Sequence, residues 1–105
     1  MWEKLGLILD PEINRNRKLT AALMPVPEIR NVEDGIIRIY YCPRDNMNRS
    51  EMHWFEIKIS NPYQIIDHSE TALLKHGVIG AFDDSGITLG NIVQHNNEKR
   101  VYYCP

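Results

Sequence analysis

The sequence has little of what marks several large classes of protein. Its 105 residues include two cysteines, too few for a disulfide scaffold and without the spacing of a zinc site. Twelve lysines and arginines stand against 14 aspartates and glutamates, and the resulting net charge of −2 excludes a strongly basic nucleic-acid binder. The longest apolar run, at 5–9, is far shorter than the roughly 18 residues of a membrane span.

Motifs for several kinds of chemistry are also missing from the sequence. It has no phosphate-binding glycine loop, nucleophile elbow or Cys/His catalytic pattern, and its four histidines lack the spacing of metal ligands. No long apolar region follows Trp2, as a secretory signal requires. We therefore expect a cytoplasmic protein with no metal or other cofactor and with neither nucleic acid nor membrane as partner. Cys42 and Cys104 are expected to be reduced thiols on strands.

What the sequence does contain is a series of short β patterns. Residues 36–42 are rich in β-branched and aromatic side chains, and the two-residue period places Ile37, Ile39 and Tyr41 on one face. Residues 51–59 have the same character and predict a second strand. Sustained apolar spacing of three and four residues occurs nowhere, so we expect almost no helix.

The segments around these strands are less regular. Residues 2–9 predict a short strand, and residues 13–18 predict an exposed polar loop. Two prolines within 24–27 require an extended chain that cannot be a central strand. Residues 65–66 and 71–74 fit either one more strand or a short helix, whereas 77–90 is rich in glycine and loop-like.

One string of the sequence is repeated. The residues at 40–43, Tyr-Tyr-Cys-Pro, recur at 102–105, and each copy follows a turn signal, a basic residue and a β-branched residue. The same hairpin therefore occurs twice, and the intervening length suits a repeat unit of about 60 residues with four strands, as in a propeller blade. The alternative is chance similarity between two hairpins of an ordinary β-sandwich.

Five strings along the chain carry a resemblance to a known family. In order, they are Trp2-x-Lys4-Leu5-Gly6-Leu7-Ile8, Met24-Pro25-x-Pro27, Asp34-Gly35-Ile36-Ile37-Arg38-Ile39-Tyr40, Arg44-Asp45-x-x-Asn48-Arg49-Ser50 and Phe82-Asp83-Asp84-Ser85-Gly86. Together they resemble the N-terminal part of glycosidase-like five-bladed β-propeller proteins, the group of the arabinanases, β-fructosidases and levansucrase-type hydrolases. The resemblance covers essentially the whole chain. It implies a full length roughly three times this one and a carbohydrate site at one end of a central channel.

The expected fold is all-β, with about one and a half antiparallel four-stranded blades of a five-bladed β-propeller. Residues 1–105 would form an N-terminal fragment, with repeat units at about 24–85 and 86–105, the second incomplete. A blade buries both faces only against neighbours, so an incomplete propeller is expected to self-associate through its exposed blade faces.

The resemblance also indicates which carboxylates to consider for catalysis. Glycoside hydrolysis needs two carboxyl groups, one protonated and one ionised, and a propeller supplies them from different blades. Asp45 and one of Asp83 and Asp84 are the candidates in this chain. Two departures from the family pattern weaken the case for these aspartates as catalytic residues. Ala21 and Leu23 stand where the family carries His and Gln, and residues 87–90 differ from the usual Val-x-Pro-Ser.

The residues around Asp45 are candidates for binding the substrate. Arg44 and Arg49 offer forked donors to sugar hydroxyls or to a carboxylate, and Asn48 and Ser50 add neutral hydrogen bonds. The alternative is that these residues form a self-satisfied network that closes a hairpin.

At other positions, turn formation or core packing is the alternative to a functional role. Residues 83–86 also fit an Asx or type I turn, in which one carboxylate shapes the turn while the other faces the channel. Trp54, Tyr40 and Tyr102 have the chemistry to stack on sugar rings, although packing between blades is the competing role.

Three functions follow from these patterns. The first is a truncated glycosidase-like propeller that binds or acts on carbohydrate in its full-length form and is inactive as this chain alone. The second is a non-catalytic, self-assembling β module, and the third is the decayed remnant of a truncated gene.

Overall fold

The computed structural model describes residues 1–10 and 19–105, and every regular element among them is a β-strand. The strands are β1 (Thr20–Asn31), β2 (Ile36–Arg44), β3 (His53–Lys58), β4 (Asn61–His68), β5 (Thr88–His95) and β6 (Glu98–Cys104). The predicted all-β class is confirmed over these ranges. The described part of the chain has no helix long and apolar enough to cross a bilayer. The exposed loop predicted at 13–18 lies outside the described residues.

Four strands form one antiparallel sheet in the order β1-β2-β3-β4, and β5 pairs with β6 in a separate two-stranded sheet. Because each strand reverses the direction of the one before it, successive connections alternate between the two ends of the sheet. The turns at 32–35 and 59–60 therefore lie at one end. The β2–β3 loop and the long segment after β4 lie at the other end, called the loop end below.

The two faces of the four-stranded sheet are covered by different parts of the chain. Tyr41, Phe55 and Ile57 form one buried face together with Leu9, and Ile37 and Ile39 pack against them. The rings of Tyr41 and Phe55 meet edge to face, with centroids 5.7 Å apart. This face confirms the predicted two-residue period of β2, and it explains why the N-terminal segment is held to the sheet at Leu9.

The opposite face packs against the β5–β6 hairpin. Tyr40, Cys42 and Met52 lie in one core with Ile87 and Leu89, so this core joins the two sheets. At its margin, the Glu28 carboxylate accepts hydrogen bonds from Lys99 Nζ at 2.8 Å and from the Tyr40 hydroxyl at 3.2 Å. The hairpin is thus fixed by a shared apolar core and by a charged contact between β1 and β6.

The predictions for the less regular segments have different outcomes. The prolines within 24–27 lie in β1, an edge strand whose register with β2 shifts at several points, so the extended, non-central prediction is confirmed. Residues 65–74 split between the end of β4 and an irregular stretch, where Leu74 forms an isolated bridge with Met52. The strand predicted at 2–9 is wrong, because residues 1–10 pair with no strand in the described structure.

Both copies of the repeated string lie on the second strand of a hairpin, in β2 and in β6. Their environments differ, because β2 is flanked by β1 and β3 whereas β6 pairs only with β5. Tyr40 is 3% exposed and its counterpart Tyr102 is 55% exposed. Both cysteines are free thiols, as predicted, and burial raises the pKa of the Cys42 thiol above its ordinary value of 9.0.

Because one core joins the two sheets, truncating Leu89 tests whether the β5–β6 hairpin is docked. Leu89→Ala should lower the free energy of unfolding by about 2–5 kcal/mol, since it leaves a cavity in that core. Val93→Ala is the control on the same strand, where the side chain is 40% exposed, and should cost about 1 kcal/mol or less. Urea unfolding followed by tryptophan fluorescence measures both; equal, small losses would contradict a docked hairpin.

Candidate functional site

The topology brings the two aspartate-containing strings to the same end of the molecule. The string at 44–50 occupies the β2–β3 loop, and the string at 82–86 lies in the segment that leads from β4 to β5. Both connections belong to the loop end. Residues that are far apart in the sequence are therefore neighbours in space, as an up-and-down sheet requires.

Ser50 joins these two strings directly. Its hydroxyl donates a hydrogen bond to the Ile87 carbonyl oxygen at 2.5 Å, and the Ile87 N–H donates to the Ser50 carbonyl oxygen at 3.0 Å. Gly86 has a φ of +126°, and a β-carbon at this position would lie 2.6 Å from the Ser50 backbone nitrogen. A glycine is required here both for its backbone conformation and for the close approach. The proton of the Ser50 hydroxyl is thus used within the protein, and the neutral hydrogen bond from Ser50 to a sugar stays a prediction.

The β2–β3 loop is closed by its own polar groups. Asp45 Oδ1 accepts hydrogen bonds from the N–H groups of Met47 at 2.9 Å and Arg49 at 2.8 Å, and Oδ2 accepts one from Arg49 Nε at 3.0 Å. Arg44 donates to Asn48 Oδ1 at 3.0 Å, and Asn48 adopts a positive φ of 61°, which asparagine tolerates. The self-satisfied network that the sequence allowed as an alternative is present.

These contacts fix the charge of Asp45. Burial acts to raise the pKa of this carboxyl, but the hydrogen bonds from the Arg49 and Met47 N–H groups and the Arg49 guanidinium outweigh burial. The pKa is held below its ordinary value of 3.8. Asp45 is therefore ionised at neutral pH, and it cannot serve there as a proton donor.

His76 belongs to the same cluster and was missed at the level of sequence. Its Nε2 atom lies 3.8 Å from Asp45 Oδ2, and its Nδ1 atom lies 3.0 Å from the Gly77 carbonyl oxygen. A proton on Nδ1 is used by that carbonyl, which leaves Nε2 facing the carboxylate. No spacing pattern marks a histidine that reaches a site from a different loop, so only the folded chain reveals it.

The neighbouring aspartates at 83 and 84 have different roles. Asp83 is 9% exposed, its Oδ2 accepts a hydrogen bond from the Tyr103 hydroxyl at 3.4 Å, and its backbone carbonyl accepts from the N–H groups of Gly77 and Gly86. Asp84 instead accepts the Gly80 N–H at 2.8 Å and so shapes the turn. The structure thus separates the buried carboxylate from the one that organises the turn.

Three other polar residues at the loop end form a buried array. His53 Nε2 lies 3.3 Å from Glu51 Oε1, and His53 Nδ1 lies 3.2 Å from the Ser69 hydroxyl. The order of acid, imidazole and hydroxyl is that of nucleophilic catalysis. Glu51 and His53 are 1% and 0% exposed, however, and Ser69 Oγ also accepts the Trp54 N–H at 3.0 Å. The array therefore ties β3 to the end of β4.

The three aromatic side chains considered for sugar stacking lie in different environments. Tyr40 lies in the core between the sheets, and the Arg38 guanidinium covers the Trp54 ring at 3.8 Å from its centroid. Tyr102 is exposed on β6. The structure therefore assigns Tyr40 and Trp54 to packing.

A concave region lies between the two sheets. It is an apolar cavity of about 490 Å³ whose lining includes Tyr40, Met52, Leu74, Val101 and Tyr103, and Lys99 adds a charge at its wall. None of the candidate residues at 44–50 or 83–84 lines it. Within the described ranges, no group of three His, Cys, Asp or Glu side chains is placed to hold a metal ion.

Comparison with known proteins finds two related sequences in Mycobacterium tuberculosis. The uncharacterized proteins MT1551 of strain CDC 1551 / Oshkosh and Rv1502 of strain ATCC 25618 / H37Rv are each 34% identical to this chain over 102 residues. The alignment covers 97% of this chain and 33% of each relative, so the chain spans about a third of the length of the curated relatives it matches. Neither name states an activity. No family model and no solved structure matches the chain.

The hydrogen bonds of Asp45 predict a pH-dependent contribution to stability. Asp45→Asn should lower the free energy of unfolding by about 1.5–3 kcal/mol at pH 7, because it removes a carboxylate that accepts charge-assisted hydrogen bonds. A group whose pKa is lowered by folding contributes stability above its unfolded pKa, and that contribution is lost as the pH falls through the folded value. The difference between wild type and variant should therefore shrink below about pH 4.

Chemical denaturation between pH 3 and pH 7 measures this difference. Asp34→Asn, in the exposed turn at the opposite end of the sheet, is the matched control and should change stability by less than about 0.5 kcal/mol. A constant difference across the pH range would contradict the ionised role of Asp45.

The contact between Gly86 and Ser50 predicts an unequal response of two glycines. Gly80 and Gly86 both have positive φ, but a β-carbon at Gly80 meets nothing within 4 Å. Gly80→Ala should cost about 1 kcal/mol for its backbone alone, whereas Gly86→Ala should cost about 3 kcal/mol or more because the Ser50 backbone must also move. Thermal unfolding of both variants tests this, and equal losses would mean that the loops are not locked together.

Proposed function

We propose that this chain is the N-terminal portion of a glycosidase-like five-bladed β-propeller that binds or acts on carbohydrate in its full-length form. The observation that carries the proposal is the arrangement of the two sheets. A four-stranded up-and-down sheet is followed by a hairpin that packs on its face, and both aspartate-containing strings lie at one end of the pair.

The strand order of the first sheet supports its interpretation as a propeller blade. Blades are four-stranded antiparallel sheets arranged around a central channel, and the order β1-β2-β3-β4 fits this description. The β5–β6 hairpin would begin the second blade, since it follows β4 in the chain and packs against the first blade. The threefold greater length of the two mycobacterial relatives leaves room for the remaining blades.

The loop end would face the substrate. Connections between the second and third strands of a blade, and from one blade to the next, emerge at the same end. The same end of every blade therefore contributes to one rim around the channel. In this chain those connections hold the network of Asp45 and the turn at 83–86, joined through Ser50. Function on β scaffolds is concentrated in such loops.

The two carboxylates suit different steps of glycoside hydrolysis. Asp45 is held ionised by Arg49, which suits a base, a nucleophile or a carboxylate that stabilises an oxocarbenium-like transition state. Asp83, buried beside the Tyr103 hydroxyl, is the second candidate. Because Asp45 does not donate a proton at neutral pH, we propose that a later blade adds the general acid and that this chain alone is inactive.

The basic residues of the loop would contact the sugar hydroxyls. Arg44 is exposed and donates to Asn48 through one guanidinium nitrogen, and a guanidinium has five N–H donors in all. Arg49 is occupied by Asp45 and acts as the group that positions the carboxylate. We therefore propose that Arg44 and Asn48 are the substrate-binding pair.

A second candidate function is a self-assembling β module, favoured by the exposed apolar surface. Trp2 and Leu7 in the N-terminal segment and Val78 and Ile79 before the turn at 83–86 are all largely exposed. Among the described strands, β4 and β6 each pair on one side only, so each presents an open edge to a partner. Either feature would be covered in a complete propeller or in an assembly of short chains.

Sugar binding by the natural form of the protein tests the proposal. The intact mass of the protein from its native source is measured first; a value near three times 12.3 kDa is expected. Protein of that length is then screened for binding and hydrolysis against a broad glycan panel. Arg44→Ala should weaken the best interaction by roughly tenfold, because a charge-assisted hydrogen bond is lost.

Matched controls separate binding from folding. Arg100→Ala removes an exposed arginine near the β5–β6 turn, at the opposite end of the molecule, and should leave binding unchanged. No binding and no hydrolysis across the panel would overturn the carbohydrate function. A native mass of 12.3 kDa together with a concentration-dependent oligomer in light scattering would favour the self-assembling module instead.

A further inference from the structure

We propose that Phe82 and Tyr103 form an aromatic shelf on which one pyranose ring of a carbohydrate stacks, beside the carboxylates of Asp83 and Asp84. The inference rests on the proposed function, because it names the part of the loop end that holds the sugar. Sequence patterns selected neither ring as a binding residue.

The Phe82 ring is held out in solvent. It is 75% exposed, whereas the next residue, Asp83, is buried. Val78 and Ile79, in the same segment, are also largely exposed, and contiguous exposed apolar surface of this kind marks interaction sites.

The segment that carries the ring is well fixed. Within it, the Ala81 N–H donates to the Val78 carbonyl oxygen at 2.9 Å and the Gly80 N–H donates to Asp84 Oδ2 at 2.8 Å. The Gly86 contact with Ser50 anchors the segment to the β2–β3 loop. Phe82 is therefore presented in a defined position on a hydrogen-bonded turn.

Tyr103 supports the ring from one side. The two ring centroids are 6.5 Å apart with an angle of 26° between the planes, which is a stacked arrangement. The Tyr103 hydroxyl donates to Asp83 Oδ2 at 3.4 Å, so the supporting ring is itself tied to the buried carboxylate. One face of the Phe82 ring therefore packs against Tyr103, and the exposed part of the ring is its remaining surface.

A sugar ring matches both parts of this surface. A pyranose presents a face of C–H groups, which packs on an aromatic ring, and a rim of hydroxyls, which need acceptors. Asp84 lies in the same turn, and its two oxygens accept bonds from Gly80 N–H and the Ser85 hydroxyl at 2.8 and 3.3 Å. Each carboxylate oxygen accepts about two hydrogen bonds, so acceptor positions remain for hydroxyls. The apolar face and the polar rim lie together, as they do on the sugar.

Saturation-transfer NMR tests the shelf. The protein, at the length found in its native source, is mixed with methyl glycosides of glucose, galactose, mannose, xylose and arabinose, and its aromatic protons are irradiated. Wild type should transfer saturation to the C–H protons of a bound pyranoside. Phe82→Ala should reduce this transfer and weaken the affinity about 3- to 10-fold, whereas Phe82→Trp should retain both. Tyr63→Ala, an exposed tyrosine near the start of β4 and away from the loop end, is the matched control and should bind as wild type does.

The possible outcomes separate the aromatic shelf from the proposed carbohydrate function. Equal binding by wild type and Phe82→Ala would overturn the shelf and leave the proposed function intact. Absence of binding of every glycoside by wild type, with no glycan bound in the broad panel, would overturn both. If Phe82→Ala dissociates an oligomer and leaves sugar affinity unchanged, the ring contacts a protein through the surface that also exposes Val78 and Ile79, and the shelf is again overturned.

Discussion

The close approach of Gly86 to Ser50 is the constraint on which the loop end depends. The β2–β3 loop and the segment before β5 are separated by more than thirty residues of sequence, yet a backbone pair and a serine hydroxyl hold them in contact. Only glycine allows the approach, because any β-carbon would meet the Ser50 backbone. The positions of Asp45 and Asp83 relative to one another follow from this junction, since each lies within a few residues of it.

The rest of the architecture follows from a sheet that is apolar on both faces. The alternation along β2 places Tyr41 on one side and Tyr40 and Cys42 on the other, and all three are buried. A sheet at the protein surface needs only one apolar face. Two apolar faces require other parts of the protein to pack on both sides of the sheet. The N-terminal segment supplies Leu9 to one side, and the β5–β6 hairpin supplies Leu89 to the other. A blade packed between neighbours, as we propose for this sheet, has the same requirement.

The sequence was informative wherever structure is local. The turn at 33–35, the strand at 36–42 and the hairpin around Asn96 each follow from residue type and period alone, because backbone preferences and alternation are properties of short segments. The strand predicted at 2–9 failed for the complementary reason. An extended segment becomes a strand only when a partner accepts its backbone hydrogen bonds, and the pattern of a single segment cannot provide that partner.

The candidate site was predictable only in part, for the same physical reason. Residues within one loop, such as Asp45 and Arg49, were selected together because they lie close in the sequence. His76 reaches that carboxylate from another loop, and Tyr103 reaches Asp83 from a strand, so neither contact has a sequence signature. Long-range contacts of this kind are created by the topology, which places alternate connections at one end of the sheet.

The chemistry available at the loop end is limited by how thoroughly Asp45 is bound. A carboxylate that accepts two backbone N–H groups and a guanidinium is rigid and ionised, and both properties are set by its own loop. Such a group stabilises positive charge that develops nearby, but it cannot deliver a proton at neutral pH. Acid–base hydrolysis at this end would therefore need a second carboxyl group in a different environment. Asp83, buried against the Tyr103 hydroxyl, lies in a different environment from Asp84, which accepts a hydrogen bond from the turn, but in our proposal the proton donor comes from a later blade. Phe82, the residue before Asp83, is exposed, whereas the polar groups around Asp45 bond to one another, and this difference is why we propose the ring and not that network as the ligand contact.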